Sequence, residues 1–164
     1  NYAKSMNELA IFYRDEQYGL QKDLAKTLAL FQKAGKLGYA DAYHNAGTLY
    51  RDGDGVERDL GQARYYFELG AIAGSMDARH NLACLDMDIG HFSRGHKHFL
   101  ICTKGGFEPS LGGLRSGFEY GDITKHEYTQ ALTAFQKQRA ETMSATRDEA
   151  LRLTANLSKY RKNT

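Results

Sequence analysis

The chain has 164 residues, enough for one domain with a substantial core, and its 22 Lys and Arg stand against 20 Asp and Glu, a net charge of +2. That balance argues against nucleic acid or a membrane surface as the main partner, and no apolar run approaches the roughly 20 residues of a membrane span. One proline beside 17 glycines suits a chain made mostly of helices that stop at glycine, and two cysteines, Cys84 and Cys102, make no disulfide framework.

From the N terminus, NELAIFYRD (7–15) reads as a first helix. Asp23 stands as N-cap of a second, whose apolar row is Leu24, Thr27, Phe31, Ala34 and Gly38. The chain opens at Asn1 rather than Met, as a mature form or a fragment would. The pattern then begins again, because HNAGTLYRD (44–52) matches NELAIFYRD at a shift of 37 residues.

The next stretch, YRDGDGVERDLGQA (50–63), invites a calcium or phosphate reading. Both fail on spacing. Counted from Asp52, the glycine position of a calcium loop is Glu57 and the bidentate glutamate position is Ala63. A phosphate loop would need a Gly-Lys-Ser/Thr ending after a buried strand, and the preceding AYHNAGTLY has helical spacing. The stretch is therefore a turn: Gly53 and Gly55 stop one helix, Val56 tucks into the pair, and Asp59 caps the next helix.

The row Leu60, Ala63, Phe67, Gly70 and Gly74 repeats the first. GSMDARHNLA (74–83) repeats GYADAYHNAG (38–47), and Phe92, Gly95, Phe99, Cys102 and Gly106 form the third row after a shorter loop. Tyr128, Ala131, Phe135 and Gln138 form the fourth, preceded by a weak helix in which Gly112, Gly113 and Gly117 each cost about 1 kcal/mol relative to alanine. Phe31, Phe67, Phe99 and Phe135 thus recur at one register, each with a small residue four positions earlier that admits a close neighbour helix. Thr124 to Glu127 and Thr146 to Glu149 fit capping boxes. The segment 140–164 is expected to be a C-terminal cap, its end a further helix after the second box whose face of Ala150, Leu153, Leu157 and Tyr160 covers the last repeat. The expected units are about 3–38, 39–74, 75–106 and 107–139, one repeat domain over 1–164.

Residues 42–74, AYHNAGTLYRDGDGVERDLGQARYYFELGAIAG, closely resemble the Sel1-like repeat (SLR), a relative of the tetratricopeptide repeat, with Ala46, Gln62 and Gly70 as the mild departures. The third unit keeps ARHNLA but has Asp86 where the pattern has tyrosine and lacks the Gly-x-Gly-Val loop. ARHNL, YGLQKDLAKTLALFQKAGKLGYA and RDEA are also similar to SLR proteins of diatoms and related algae. The resemblance implies an all-α, right-handed α-solenoid of about four antiparallel helix pairs. It also implies a non-catalytic protein–protein interaction scaffold or adaptor that binds a partner segment along a concave groove.

Carried over by position, the groove would be lined by Asn7, Ile11 and Arg14, then Asp41, His44, Thr48 and Arg51. Asp77, His80, Cys84 and Met87 follow, then Gly112, Ser116 and Glu119. The partner is expected to be protein, a peptide or helical segment, with no nucleic acid and no membrane span. His80 and Cys84 share a helix face with His44 nearby, but no fourth ligand stands beside them, so no metal and no cofactor is expected. No nucleophile–base–orienter set is visible, and carboxylates such as Asp86 and Asp88 diverge on a helix, so the chain reads as no enzyme. The rival reading is a structural subunit of a larger, possibly organellar, complex. Tyr39, Tyr43, Tyr65, Phe107 and Tyr120 are the candidates for its apolar contact face. The sequence leaves the compartment open and favours a soluble intracellular setting.

Overall fold

The computed structural model describes residues 2–161, with side chains from Tyr2 to Glu149 and Arg152. Among the described residues every element is helical. The helices are α1 (Tyr2–Arg14), α2 (Leu24–Lys36), α3 (Ala40–Asp52), α4 (Leu60–Ile72), α5 (Met76–Asp88), α6 (Phe92–Lys104), α7 (Leu111–Glu119) and α8 (Lys125–Arg161). Short 3-10 turns lie at Gln17–Gly19 and Glu108–Ser110. Consecutive helices pack on each other from α1 to α8, α3 also touches α5, and α6 touches α8, the neighbour-only pattern of a solenoid.

The helix ends are fixed largely as their residues dictate. Asp23 accepts from the Lys26 backbone N–H (2.9 Å) and Asp59 from that of Gln62 (3.0 Å). Thr124 and Glu127 satisfy each other reciprocally: the Thr124 N–H donates to the glutamate at 2.8 Å, and the Glu127 N–H to the threonine hydroxyl at 3.2 Å. Gly53 and Gly55 have φ of 73° and 75°, while Val56 packs against the core formed by α1 to α3. In the first loop, one residue longer, Gly19 takes the place of Gly55 with φ of 77°, while Glu16, at the place of Gly53, and Tyr18 hold φ of 54° and 56° without glycine's freedom. Tyr18 is supported there by an edge-on contact with Phe12, ring centroids 4.7 Å apart.

Phe31 and Phe67 are wholly buried, Phe99 and Phe135 are 7% and 6% exposed, and Thr27, Ala63, Gly95 and Ala131, one turn earlier, are buried beside them. Helix α7 shows why glycine recurs there. A Cβ at Gly113 would stand 2.1 Å from the Phe99 ring, and one at Gly117 2.8 Å from His96, so both admit α6. Gly112 faces open space. Accordingly, Gly112→Ala should stabilise the protein by roughly 0.5 kcal/mol through the unfolded chain. Gly113→Ala should destabilise it by about 1–3 kcal/mol through overpacking. Urea midpoints of the two variants test the contrast, and equal effects would refute it.

At the C terminus the structure departs from expectation. No glycine or proline occurs between 125 and 161, and α8 runs unbroken through the segment expected to restart at Thr146. Without a breaker, the Thr146 hydroxyl donates back to the Thr142 carbonyl (2.9 Å) instead of capping. Residues 136–149 are all exposed, and at the start of this stretch Gln138 lies beside Gly106 and Arg139 reaches Glu108 at 3.5 Å. The face of Ala150, Leu153, Leu157 and Tyr160 lies outside the residues whose side chains are described.

Candidate functional site

Helices α1, α3, α5 and α7 carry the expected groove residues, and polar links join them from repeat to repeat. Asn45 Nδ2 donates to Asn7 Oδ1 (2.9 Å), Arg51 Nη1 donates to Asn81 Oδ1 (3.2 Å), and His80 Nδ1 lies 2.9 Å from Ser110 Oγ. These links decide which groups remain available. Asn7 is 4% exposed and bonded, and Ile11 packs against the first core cluster. Both therefore support the face from below. Arg14 and Arg51 each grip the next residue, Asp15 and Asp52, through two hydrogen bonds of 2.7–3.1 Å.

The open part of the face consists of Asp41 and Asp77, both exposed, with half-buried Thr48, Cys84, Met87 and Ser116 around them. Gly112 is exposed, and Glu119 is exposed and held by Arg115 at 2.8 Å. His44 stacks on Phe67, ring centroids 6.0 Å apart, and His80 tilts against Phe99 and Phe107. Burial lowers both imidazole pKa values, with Asp77 pulling the other way in each case, which favours neutral rings.

The soft-metal set does not converge: His80 is engaged by Ser110, His44 faces Phe67, and among the described residues no three His, Cys, Asp or Glu side chains are grouped to hold an ion. Both cysteines are free thiols; burial pushes Cys102 up to about 11 and raises Cys84 as well, which favours the protonated form.

Two clusters emerge that spacing did not announce. At the junction of α4, α5 and α6, the Asp86 carboxylate is wholly buried. It accepts from Arg64 Nη2 (2.7 Å), Arg94 Nε (2.7 Å) and Arg94 Nη2 (2.6 Å), and His98 Nε2 lies 3.8 Å away. The sequence signal for it was the aspartate itself, standing where the repeat has tyrosine.

The second cluster lies where α5 and α7 end and α6 begins. His96, 1% exposed, donates from Nδ1 to Asp122 Oδ2 (2.6 Å), since a carboxylate can only accept, and its buried Nε2 has no partner among the described residues. This pair forms part of the wall of a cavity of about 710 Å3, within the range of small-ligand pockets. Met87 and Ser116 also line it, which ties it to the expected groove, together with Ser93, Phe92 and Tyr120. No sequence signal pointed here, because Asp122 lies in a turn outside the repeat pattern.

Of the five aromatic residues proposed for a contact face, Tyr65 and Tyr120 are exposed (53% and 80%), whereas Tyr39, Tyr43 and Phe107 are half-buried. Among the described residues no helix is long and apolar enough to cross a membrane.

Comparison with known proteins places this architecture. The model of the Sel1 repeat matches residues 3–39 and 40–75. No curated protein matches the sequence. Two solved structures are similar in fold. One is c5321, a protective antigen of uropathogenic Escherichia coli strains displaying an SLR fold, at TM-score 0.69 and 22% identity, covering 83% of this chain and 30% of that one. The other is a Sel1 repeat protein from Oxalobacter formigenes, at TM-score 0.65 and 19% identity, covering 87% and 58%. The chain thus spans under two thirds of either relative. Both relatives are bacterial, and the algal likeness stays an expectation from sequence.

Proposed function

From a chain that carries Sel1 repeats in an SLR fold, a fold that generally mediates protein–protein interaction, we propose a non-catalytic adaptor that holds a partner protein segment along the face of α1, α3, α5 and α7. The observation that supports it most is the set of links Asn7–Asn45, Arg51–Asn81 and His80–Ser110, which fix that row of helices as one preorganised surface. Asp41 and Asp77 are left exposed on it for recognition. Arg14 and Arg51, each neutralised by a neighbouring aspartate, supply orientation and not net charge.

Photo-crosslinking residues placed at Asp41 and Asp77, followed by affinity purification and mass spectrometry, should yield adducts with one shared partner segment. The same residue at Tyr65 or Ile72 should yield none. A second reading, a subunit held in a larger assembly, draws on the exposed Tyr65, Ile72 (82%) and Ile101 (44%) of α4 and α6. Adducts from Tyr65 and Ile72 alone would establish that reading and overturn the adaptor.

A further inference from the structure

We propose that the cavity beside His96 and Asp122 is an anchor pocket for an arginine side chain of the partner segment; this rests on the adaptor reading and gives it a chemical specificity. Four observations converge. First, among the described residues Asp122 is the single carboxylate in the wall, and no lysine or arginine lines it. Asp122 Oδ2 is engaged by His96, which fixes the carboxylate's orientation and leaves Oδ1 without a hydrogen bond among the described residues.

Second, the aromatic groups at the rim are open to solvent: Phe92 is 55% exposed and Tyr120 80%. Tyr120 is held in place by stacking on the His96 ring, centroids 6.3 Å apart and 13° from parallel. Exposed ring faces next to a carboxylate suit a planar cation, which can stack on the rings while its N–H groups reach the oxygen.

Third, the remaining polar groups can all accept. Ser93 and Ser116 carry hydroxyl oxygens that can accept from an incoming N–H. An anion would find no donor of full charge here, whereas a guanidinium brings five N–H groups. Fourth, Met87 supplies an apolar wall for the methylene stem, and its neighbours on α5 belong to the partner-binding row.

The test uses the whole chain, titrated with n-butylguanidinium and followed by two-dimensional amide NMR. Resonances of Ser93, His96, Ser116 and Asp122 should shift and saturate together. n-Butanol and butyrate, with the same stem but no positive charge, should bind at least about tenfold more weakly. Asp122→Asn, which can still accept from His96, should weaken butylguanidinium roughly tenfold. Tyr120→Ala, a change at an exposed position, should weaken it severalfold while the thermal unfolding midpoint stays put.

A capped Leu-Arg-Leu peptide should bind at the same resonances at least as tightly as butylguanidinium. If the peptide is excluded while the free cation binds, the occupant is a small molecule and the inference falls. It falls equally if butanol or butyrate binds as well, or if Asp122→Asn has no effect. Loss of the pocket result with Asp41 and Asp77 adducts intact would remove only the arginine anchor. Loss of the adducts would remove the adaptor reading independently.

Discussion

Phe67→Ala should destabilise the protein by about 3–5 kcal/mol, the cost of a large cavity at a wholly buried aromatic position. The expectation rests on where the ring sits. Phe67 rises from α4 into the space between α3 and α5. A Cβ on Gly47 of α3 would lie 2.6 Å from the ring, and the ring clusters with Ala78 and Leu82 of α5. It therefore joins the second helix pair to the third, and in a solenoid such a junction carries nearest-neighbour coupling.

Urea unfolding of the variant should show a lower midpoint. It should also show a transition broadened or split into two, as the α1–α4 segment and the segment after it cease to unfold together. A double-mutant cycle sharpens the point. Gly47→Ala alone should cost about 1–3 kcal/mol by overpacking. In the Phe67→Ala background the same methyl enters vacated space, so its cost should vanish or change sign. Additive effects would show that Gly47 and Phe67 do not meet.

That glycine–phenylalanine contact also shows how far the sequence was legible. The Phe register and the small residue one turn before each Phe could be read because packing of α-helices imposes a period that survives drift in the other residues. The same holds for Asp23, Asp59 and the Thr124–Glu127 box, whose effects are local to one helix end. The Thr146 box was misleading for a related reason: a capping signature acts only where something else interrupts the helix, and between 125 and 161 nothing does.

The proposed interaction face follows from position in the repeat, which does not tell which of its groups are free. Asn7 falls at the expected turn of α1, but its amide oxygen is taken by Asn45, a contact across 38 residues that no local rule foresees. Ser116 and Met87 were placed on the face, yet the cavity they share depends on His96 and Asp122 meeting across 26 residues. Such pairings depend on the rise and rotation from one repeat to the next, which periodicity alone does not give.

Asp86 carries the other large effect. Replacing it with alanine should cost about 2–4 kcal/mol at neutral pH, below the upper range for a broken buried pair because Arg64 and Arg94 are themselves partly solvated. Burial alone would raise its pKa, but hydrogen bonds from Arg94 and Arg64 outweigh burial and hold the carboxyl below its ordinary value of 3.8. The sign follows from linkage. With the folded pKa depressed, the charged carboxylate's contribution is complete above the unfolded value and is lost as pH falls through the folded one. The stability gap between the native chain and Asp86→Asn should therefore be constant near neutrality and narrow as pH falls below about 4. A gap that widens on acidification would contradict this.

The repeat register gives Asp86 a further meaning. Asp86 stands 36 residues after Tyr50, and His98 stands 32 after Tyr66. Tyr50 and Tyr66 stack at 5.6 Å, 7° from parallel, while Asp86 and His98 approach to 3.8 Å at the equivalent junction. One helix pair is thus joined by aromatic stacking and the next by a carboxylate with its cations, so the third unit has exchanged one link for another at the same two positions. Asp86→Tyr alone should be destabilising, because it sets a phenol among Arg64, Arg94 and His98. Adding His98→Tyr should recover on the order of 1 kcal/mol through the restored ring pair. Thermal melts of the single and double variants decide it: a double variant no more stable than Asp86→Tyr would show that the two junctions are not equivalent. Recovery would mean that a repeat can lose its consensus residues and keep its packing, provided both partners of a contact change together.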